Sequence, residues 1–204
     1  MNQETIKRRL STEERQSEII RVSIELAADK GVDSVTTQDM ADAMHLTQGA
    51  IFRHFATKDD IWVAVIEWVR ERLMKVLDKA AAGASDPLDA IERMFTAHIA
   101  FVSKHPAIPR LLFSELLHKK NSKLRQLIRG IIAGYESRIA ALLEQAKSGS
   151  LVRDDLDSQS AAVLYIGMIQ GLVMQSDIFG GERALMQEAL KTFPIFLNGV
   201  KKHT

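Results

Sequence analysis

The chain contains no cysteine. Disulfides, thiolate catalysis, cysteine redox sensing and cysteine-based zinc sites are excluded with it. Proline is scarce, and three of the four prolines fall near predicted helix starts. Pro87 follows the cap candidate Asp86, while Pro106 and Pro109 follow a helix end at His105. No stretch alternates apolar and polar residues as a strand does, and no Asn-Gly hairpin signal occurs. Long apolar runs are missing as well: the longest, Ala161 to Ile169, ends at Gln170 and is too short to span a bilayer. The basic residues near the start are followed by no apolar segment, so no signal peptide is expected. A soluble, cytoplasmic protein with no membrane partner is the expectation.

Charge of one sign is also lacking. The net charge is +1, and residues 1–60 carry 8 Lys+Arg against 11 Asp+Glu, a balance of 8 − 11 = −3. A nucleic-acid-binding module normally shows a basic footprint. Here only the placement of the positives fits one: Lys7, Arg8 and Arg9 form an N-terminal arm, and Arg53 and Lys58 flank later helix caps. Enzyme signatures are absent, with no nucleophile elbow, phosphate loop, HExxH or paired catalytic carboxylates. His98, His105 and His118 share no tight ligand spacing, so neither a metal nor a cofactor is expected.

What is present is helical periodicity throughout a chain that is 46% hydrophobic. The pattern predicts an all-α, nine-helix fold. The helices are expected over 12–30, 37–44, 48–55, 58–82, 87–104, 106–118, 122–147, 158–179 and 182–199, with Pro194 kinking or splitting the last. Residues 13–73 form an expected DNA-binding domain with its helix-turn-helix at 36–55, and residues 74–204 a helical regulatory and dimerisation domain.

The local signals are densest between residues 36 and 58. Thr36, Thr47 and Thr57 stand where three helices begin, each able to accept a bond from an otherwise unpaired backbone N–H. Asp39 and Asp60 lie three residues after Thr36 and Thr57, as in capping boxes. Helix, turn, helix, stop, helix is the layout of a helix-turn-helix. On its second helix Ile51 and Phe55 share a face expected to be buried, which leaves Gly49, Ala50, Phe52 and Arg53 on the other. Small residues at Gly49 and Ala50 allow close approach to base edges in a major groove. Gln48 is available to adenine, Arg53 to guanine or to a phosphate, and Phe52 either to a thymine methyl or to the core. Thr36, Thr37 and Gln38 open one helix and Thr47 another, where N–H groups favour a phosphate, although capping alone accounts for the threonines.

The segment from Thr37 to Lys58, with its Phe52, His54, Phe55 and Lys58 signature, resembles the tetracycline-repressor-type (TetR) family of bacterial transcriptional regulators. It covers about the first quarter of the chain. The resemblance implies that His54 and Lys58 also approach the DNA backbone and that Lys7–Arg9 reach an adjacent groove. Two positions depart from the pattern. His45 stands where a turn glycine is usual, and Phe52 replaces a tyrosine whose hydroxyl commonly reaches a phosphate.

Beyond residue 83 no motif is recognisable. The segment 158–179 is apolar nearly all round, with Gly167 and Gly171 four apart, and 182–199 supplies further apolar residues. These two helices are expected to form a homodimer interface, as the resemblance also implies. A ligand cavity is expected among the helices of 58–147. Phe95, His98, Phe101, Phe113, Tyr135, Tyr165 and Met168 are its candidate lining, each of them also suited to plain core. The resulting reading is a nucleoid-associated homodimeric repressor that binds a palindromic double-stranded operator and is released by a small-molecule effector. The alternative is a DNA-bound adaptor whose helical domain binds a partner protein and no small molecule.

Overall fold

The computed structural model describes residues 11–118, 123–181 and 184–202, without the side chains of 114–118. The Lys7–Arg9 arm and the expected helix start at Glu182 lie outside the described residues. Among the described residues nine α-helices follow one another: α1 Thr12–Lys30, α2 Thr37–Ala43, α3 Gln48–Phe52, α4 Lys58–Ala81, α5 Pro87–Lys104, α6 Ala107–His118, α7 Lys123–Ser148, α8 Ser158–Ile178 and α9 Leu185–Val200. A 3₁₀ turn, Val32–Ser34, joins α1 to α2. Among the described residues the sole extended pairing is one bridge, Val152 with Lys201.

Local chemistry sets most helix starts. Ser11 and Glu14 close a capping box on α1, and Asp86 accepts from the N–H groups of Leu88 and Asp89 at 2.8 and 3.0 Å on α5, with Pro87 at the first position. Asp157 does the same for α8 through Gln159 and Ser160. Pro194 does not split α9, which runs unbroken through it. Pro194 and Leu190 both lie on the exposed side, so the carbonyl left without an N–H four residues earlier faces solvent rather than the core.

The chain divides into two compact units, Met1–Val65 and Ile66–Thr204, so the division falls inside α4 and before the 73/74 boundary read from sequence. In the first unit Ile19, Val35, Met40, Ala41, Ile51 and Ile61 are fully buried. The one polar side chain at its centre, Ser23, is satisfied: its hydroxyl donates to the Ile19 carbonyl at 2.8 Å. The second unit is built on α5, whose Ile91, Met94, Phe95 and Ile99 are fully buried and which packs against α7, α8 and α9.

Within that unit α8 carries more apolar character than the short run Ala161–Ile169 led one to expect. The whole helix of 21 residues has a mean hydropathy of 1.3 over its best window and passes the length and composition test for a membrane span. One side of it packs on α5, α7 and α9. Its other side is exposed in the single chain, with Val163, Leu164, Met174 and Ile178 between 44% and 71% accessible.

Candidate functional site

The tri-helical head is held by three caps in a row. At α2 the Thr36 hydroxyl accepts from the Asp39 N–H at 3.1 Å, while the Asp39 carboxylate takes the Thr36 N–H at 2.8 Å and its hydroxyl at 2.6 Å. Lys30 adds an ion pair at 2.7 Å, and together with Thr36 holds the Asp39 carboxyl well below the usual carboxylate range. At α3 the Thr47 hydroxyl accepts from the Ala50 N–H at 3.2 Å. At α4 Thr57 and Asp60 repeat the box of α2. Between α2 and α3 the turn places His45 at φ 53°, left-handed backbone that histidine tolerates better than most residues.

The reading helix is shorter than expected. It ends at Phe52 rather than Phe55, because Phe55 turns back into the core, where it is 9% exposed, and Thr57 must open the next helix. Ile51 is fully buried, and Gln48, Gly49, Phe52 and Arg53 are exposed. Phe52 is thus a surface residue at 43% accessibility, not core. A side chain added at Gly49 would meet nothing nearer than the Thr47 hydroxyl at 4.0 Å, so packing inside the chain does not demand glycine there. Arg53 makes no ion pair among the described residues.

The Asp39 carboxylate occupies the Thr36 donors, while the N–H groups of Thr37 and Gln38 stand outside this capping box. Thr37 is 8% exposed, and its hydroxyl accepts from the Gln48 side-chain amide at 2.7 Å, a bond that ties the start of α2 to the start of α3. Gln38 is exposed and donates to Asp42 at 2.6 Å. Lys58 opens α4 and is half-buried. His54 is half-buried, its carbonyl accepting from Gln16 at 3.2 Å and its Nδ1 buried without a partner.

The second unit holds a partly open cavity of about 130 Å³, walled by α4 to α8 and almost wholly apolar. Of the candidate lining residues, His98, Phe101, Phe113 and Tyr135 border it. Three other candidates do not. Phe95 and Tyr165 are sealed in an aromatic cluster with Phe193 and Phe196, and Met168 faces an open groove between α8 and α9. Sequence alone could not single out Ile66, Val69, Leu73, Ile132, Ile166 and Ile169, which form much of the wall. His98 is enclosed, and burial pushes its pKa down to about 4, so the ring is neutral at pH 7. Beside the cavity lies an open vestibule of about 400 Å³ that shares Val102, Pro109, Phe113 and Val173 as walls. Arg110 and Asp177 close a two-pronged ion pair at 2.7 and 2.8 Å on its rim.

Residues 19–65 match the family described as bacterial regulatory proteins, tetR family. The match coincides with the head just described. The chain carries the N-terminal domain of that family. It is a DNA-binding transcriptional regulator and not an enzyme. Among curated relatives, the nucleoid occlusion factor SlmA of Vibrio cholerae is 25% identical over 158 residues, covering 77% of this chain and 81% of that protein. Among solved structures, a TetR transcription regulator from Haloarcula marismortui superposes with a TM-score of 0.82 at 15% identity, over 93% of this chain and 100% of its own. The fatty-acid regulator FadR of Bacillus subtilis, in complex with stearoyl-CoA, gives 0.79 at 17%, over 90% and 98%. At such identities the likeness to the two structures is one of fold. The TetR fold accounts for helix order across the whole chain, whereas the family match reaches only the head.

Proposed function

We propose that this TetR-family chain is a cytoplasmic, nucleoid-associated homodimeric repressor whose operator binding is released by a small molecule. The observation that carries the reading is the apolar cavity behind α4. Ile61 and Val65 of α4 belong to the core of the head, and Ile66, Val69 and Leu73 of the same helix wall the cavity. An occupant that favours one position of α4 over another therefore biases the head, and only that difference in affinity can do so. At about 130 Å³ the cavity is smaller than the several hundred cubic ångströms typical of drug-sized sites. It is nonetheless not the sealed, filled core that a pure adaptor needs.

The exposed apolar side of α8, continued on α9 by Leu190 and Ile195, supports a two-fold dimer. A dimer carries two reading helices and calls for half-sites about one turn of duplex apart, or a multiple of it. Within each head, Gln48, Gly49, Phe52 and Arg53 face the base edges, while Lys58, Thr47 and His54 serve the phosphates. The likeness to nucleoid occlusion factors favours a second reading, a DNA-bound adaptor that meets a partner protein through its helical unit and takes no small molecule.

Selecting bound fragments from random duplex DNA with the purified protein tests the reading. The expected product is a palindrome, released when a metabolite mixture contains the effector. A selected sequence without two-fold symmetry, or a palindrome that no small molecule releases, refutes the repressor and leaves the adaptor.

A further inference from the structure

We propose that the cavity takes a compact, uncharged molecule of about one ring carrying a single hydroxyl, with that hydroxyl bonded to His98. The inference rests on the cavity being the effector site and adds the chemistry of what enters it. Size comes first. At about 130 Å³ the space is close to the engineered apolar cavity of ~150 Å³ that holds benzene, and well below what a drug-sized ligand needs.

Charge comes next. The walls are apolar, as at Ile66, Leu73, Phe101 and Ile132, and the enclosed polar groups are His98 and Tyr135. Arg70 and Gln170 border the space but belong to the exposed surface. A carboxylate or ammonium inside would lose its water and find no opposite charge enclosed with it.

The polar groups then select a hydroxyl. The Tyr135 and Tyr165 hydroxyls are 3.1 Å apart, and Tyr165 donates onward to the Ile91 carbonyl at 3.4 Å. That chain leaves Tyr135 to donate to Tyr165, and neither phenol has a proton to spare. His98, whose ring centroid lies 5.5 Å from that of Tyr135, has a buried Nδ1 with no partner among the described residues. That Nδ1 has no accessible surface, so the ring nitrogen left to meet a molecule in the cavity is Nε2. A neutral imidazole has one donor and one acceptor nitrogen, and its tautomer decides which of the two roles falls to Nε2. A hydroxyl can donate or accept and so matches either arrangement, which a carbonyl or an amine proton alone does not.

The test uses three probes of similar size on the full chain by isothermal calorimetry: phenol, toluene and benzoate. Toluene is the isostere of phenol and the more apolar, so an unspecific greasy cavity prefers it. The expected result is phenol bound about tenfold tighter than toluene, the worth of one satisfied hydrogen bond, and no binding of benzoate. In His98→Leu the phenol preference disappears while toluene still binds, and in His98→Gln part of it is retained. Toluene binding as well as phenol in the unsubstituted chain overturns the proposal, as does benzoate binding or the absence of heat with all three. Fluorescence anisotropy of the selected operator separates this outcome from the fate of the repressor reading. Release by some other metabolite with no phenol bound refutes the hydroxyl-bearing ligand alone. Phenol bound with the predicted preference, together with an operator that no small molecule releases, upholds the site and refutes the repressor.

Discussion

Alanine at Gly167 and Gly171 separates stability of the single chain from pairing of two. Both glycines lie inside α8, and a Cβ built at either meets no atom of the chain within 4 Å. Nothing in the monomer therefore resists the change, and each Gly→Ala replacement in a helix interior gains about 0.8–1 kcal/mol from propensity. The double variant should gain about 2 kcal/mol as a monomer. The same two positions belong to the stripe that runs Val163, Gly167, Gly171, Met174, Ile178, exposed but for the half-buried Gly171, with steps of three and four residues. If a second copy seats its own α8 there, the added methyls enter a packed seam. Overpacking of that kind costs about 1–3 kcal/mol, or about five- to 150-fold in the dimer dissociation constant. Sedimentation equilibrium reads the dissociation constant, and urea unfolding at protein concentrations below it reads the monomer. Gly130→Ala in α7, where an added Cβ is equally free, is the control that should gain stability without touching association. A double variant that is more stable and pairs as tightly as before would refute α8 as the seam.

Other expectations concern the head and the buried histidine. Lys58→Ala should weaken binding to all sequences alike and lower the salt slope by about one, whereas Arg53→Ala or Gln48→Ala should cost about 1–3 kcal/mol at particular base pairs, as read by competition binding on mutated operators. Equal losses on every sequence from both kinds of variant would contradict the assigned roles. Thr36→Ala should remove about 1 kcal/mol from the head, measurable as a lower urea midpoint, since the hydroxyl both caps α2 and bonds Asp39. With His98 held near a pKa of 4 against 6.5 for a free imidazole, the unfolded chain takes up that proton first. Stability should therefore fall as pH drops from about 6.5 through about 4, by up to about 3 kcal/mol, and His98→Leu should flatten that window in parallel urea titrations.

What the sequence made readable was what neighbouring residues decide among themselves. Thr36 with Asp39, Thr57 with Asp60 and Ser11 with Glu14 are three apart, and each pair closes the bonds its spacing implies. His45 is readable for the same reason, since the turn needs one left-handed residue between two capped helices. The reading helix was overextended by three residues because Phe52, Arg53 and Phe55 suit a helix locally, and it is the pull of Phe55 into the core that ends it. Thr37 and Gln48 are eleven apart, and Arg110 and Asp177 sixty-seven. No periodicity announces such pairs.

The cavity shows the same limit from the other side. Phe95 and His98 sit three apart on α5, both were plausible lining, and only His98 meets the cavity. The difference is made by α8 and α9, which bring Tyr165, Phe193 and Phe196 over Phe95. Composition says that α5 has an apolar stripe, but not which part of it another helix will cover. For α8 the question has one further step. Its sequence has no polar face, and the fold covers one side with α5, α7 and α9. Val163 and Leu164 on the remaining side are more than half exposed, next to glycines that nothing in the chain approaches. Burying large side chains of this kind is worth about 1.5–3 kcal/mol each. A stripe of them, repeated on a two-fold mate, is the area from which association draws its driving force.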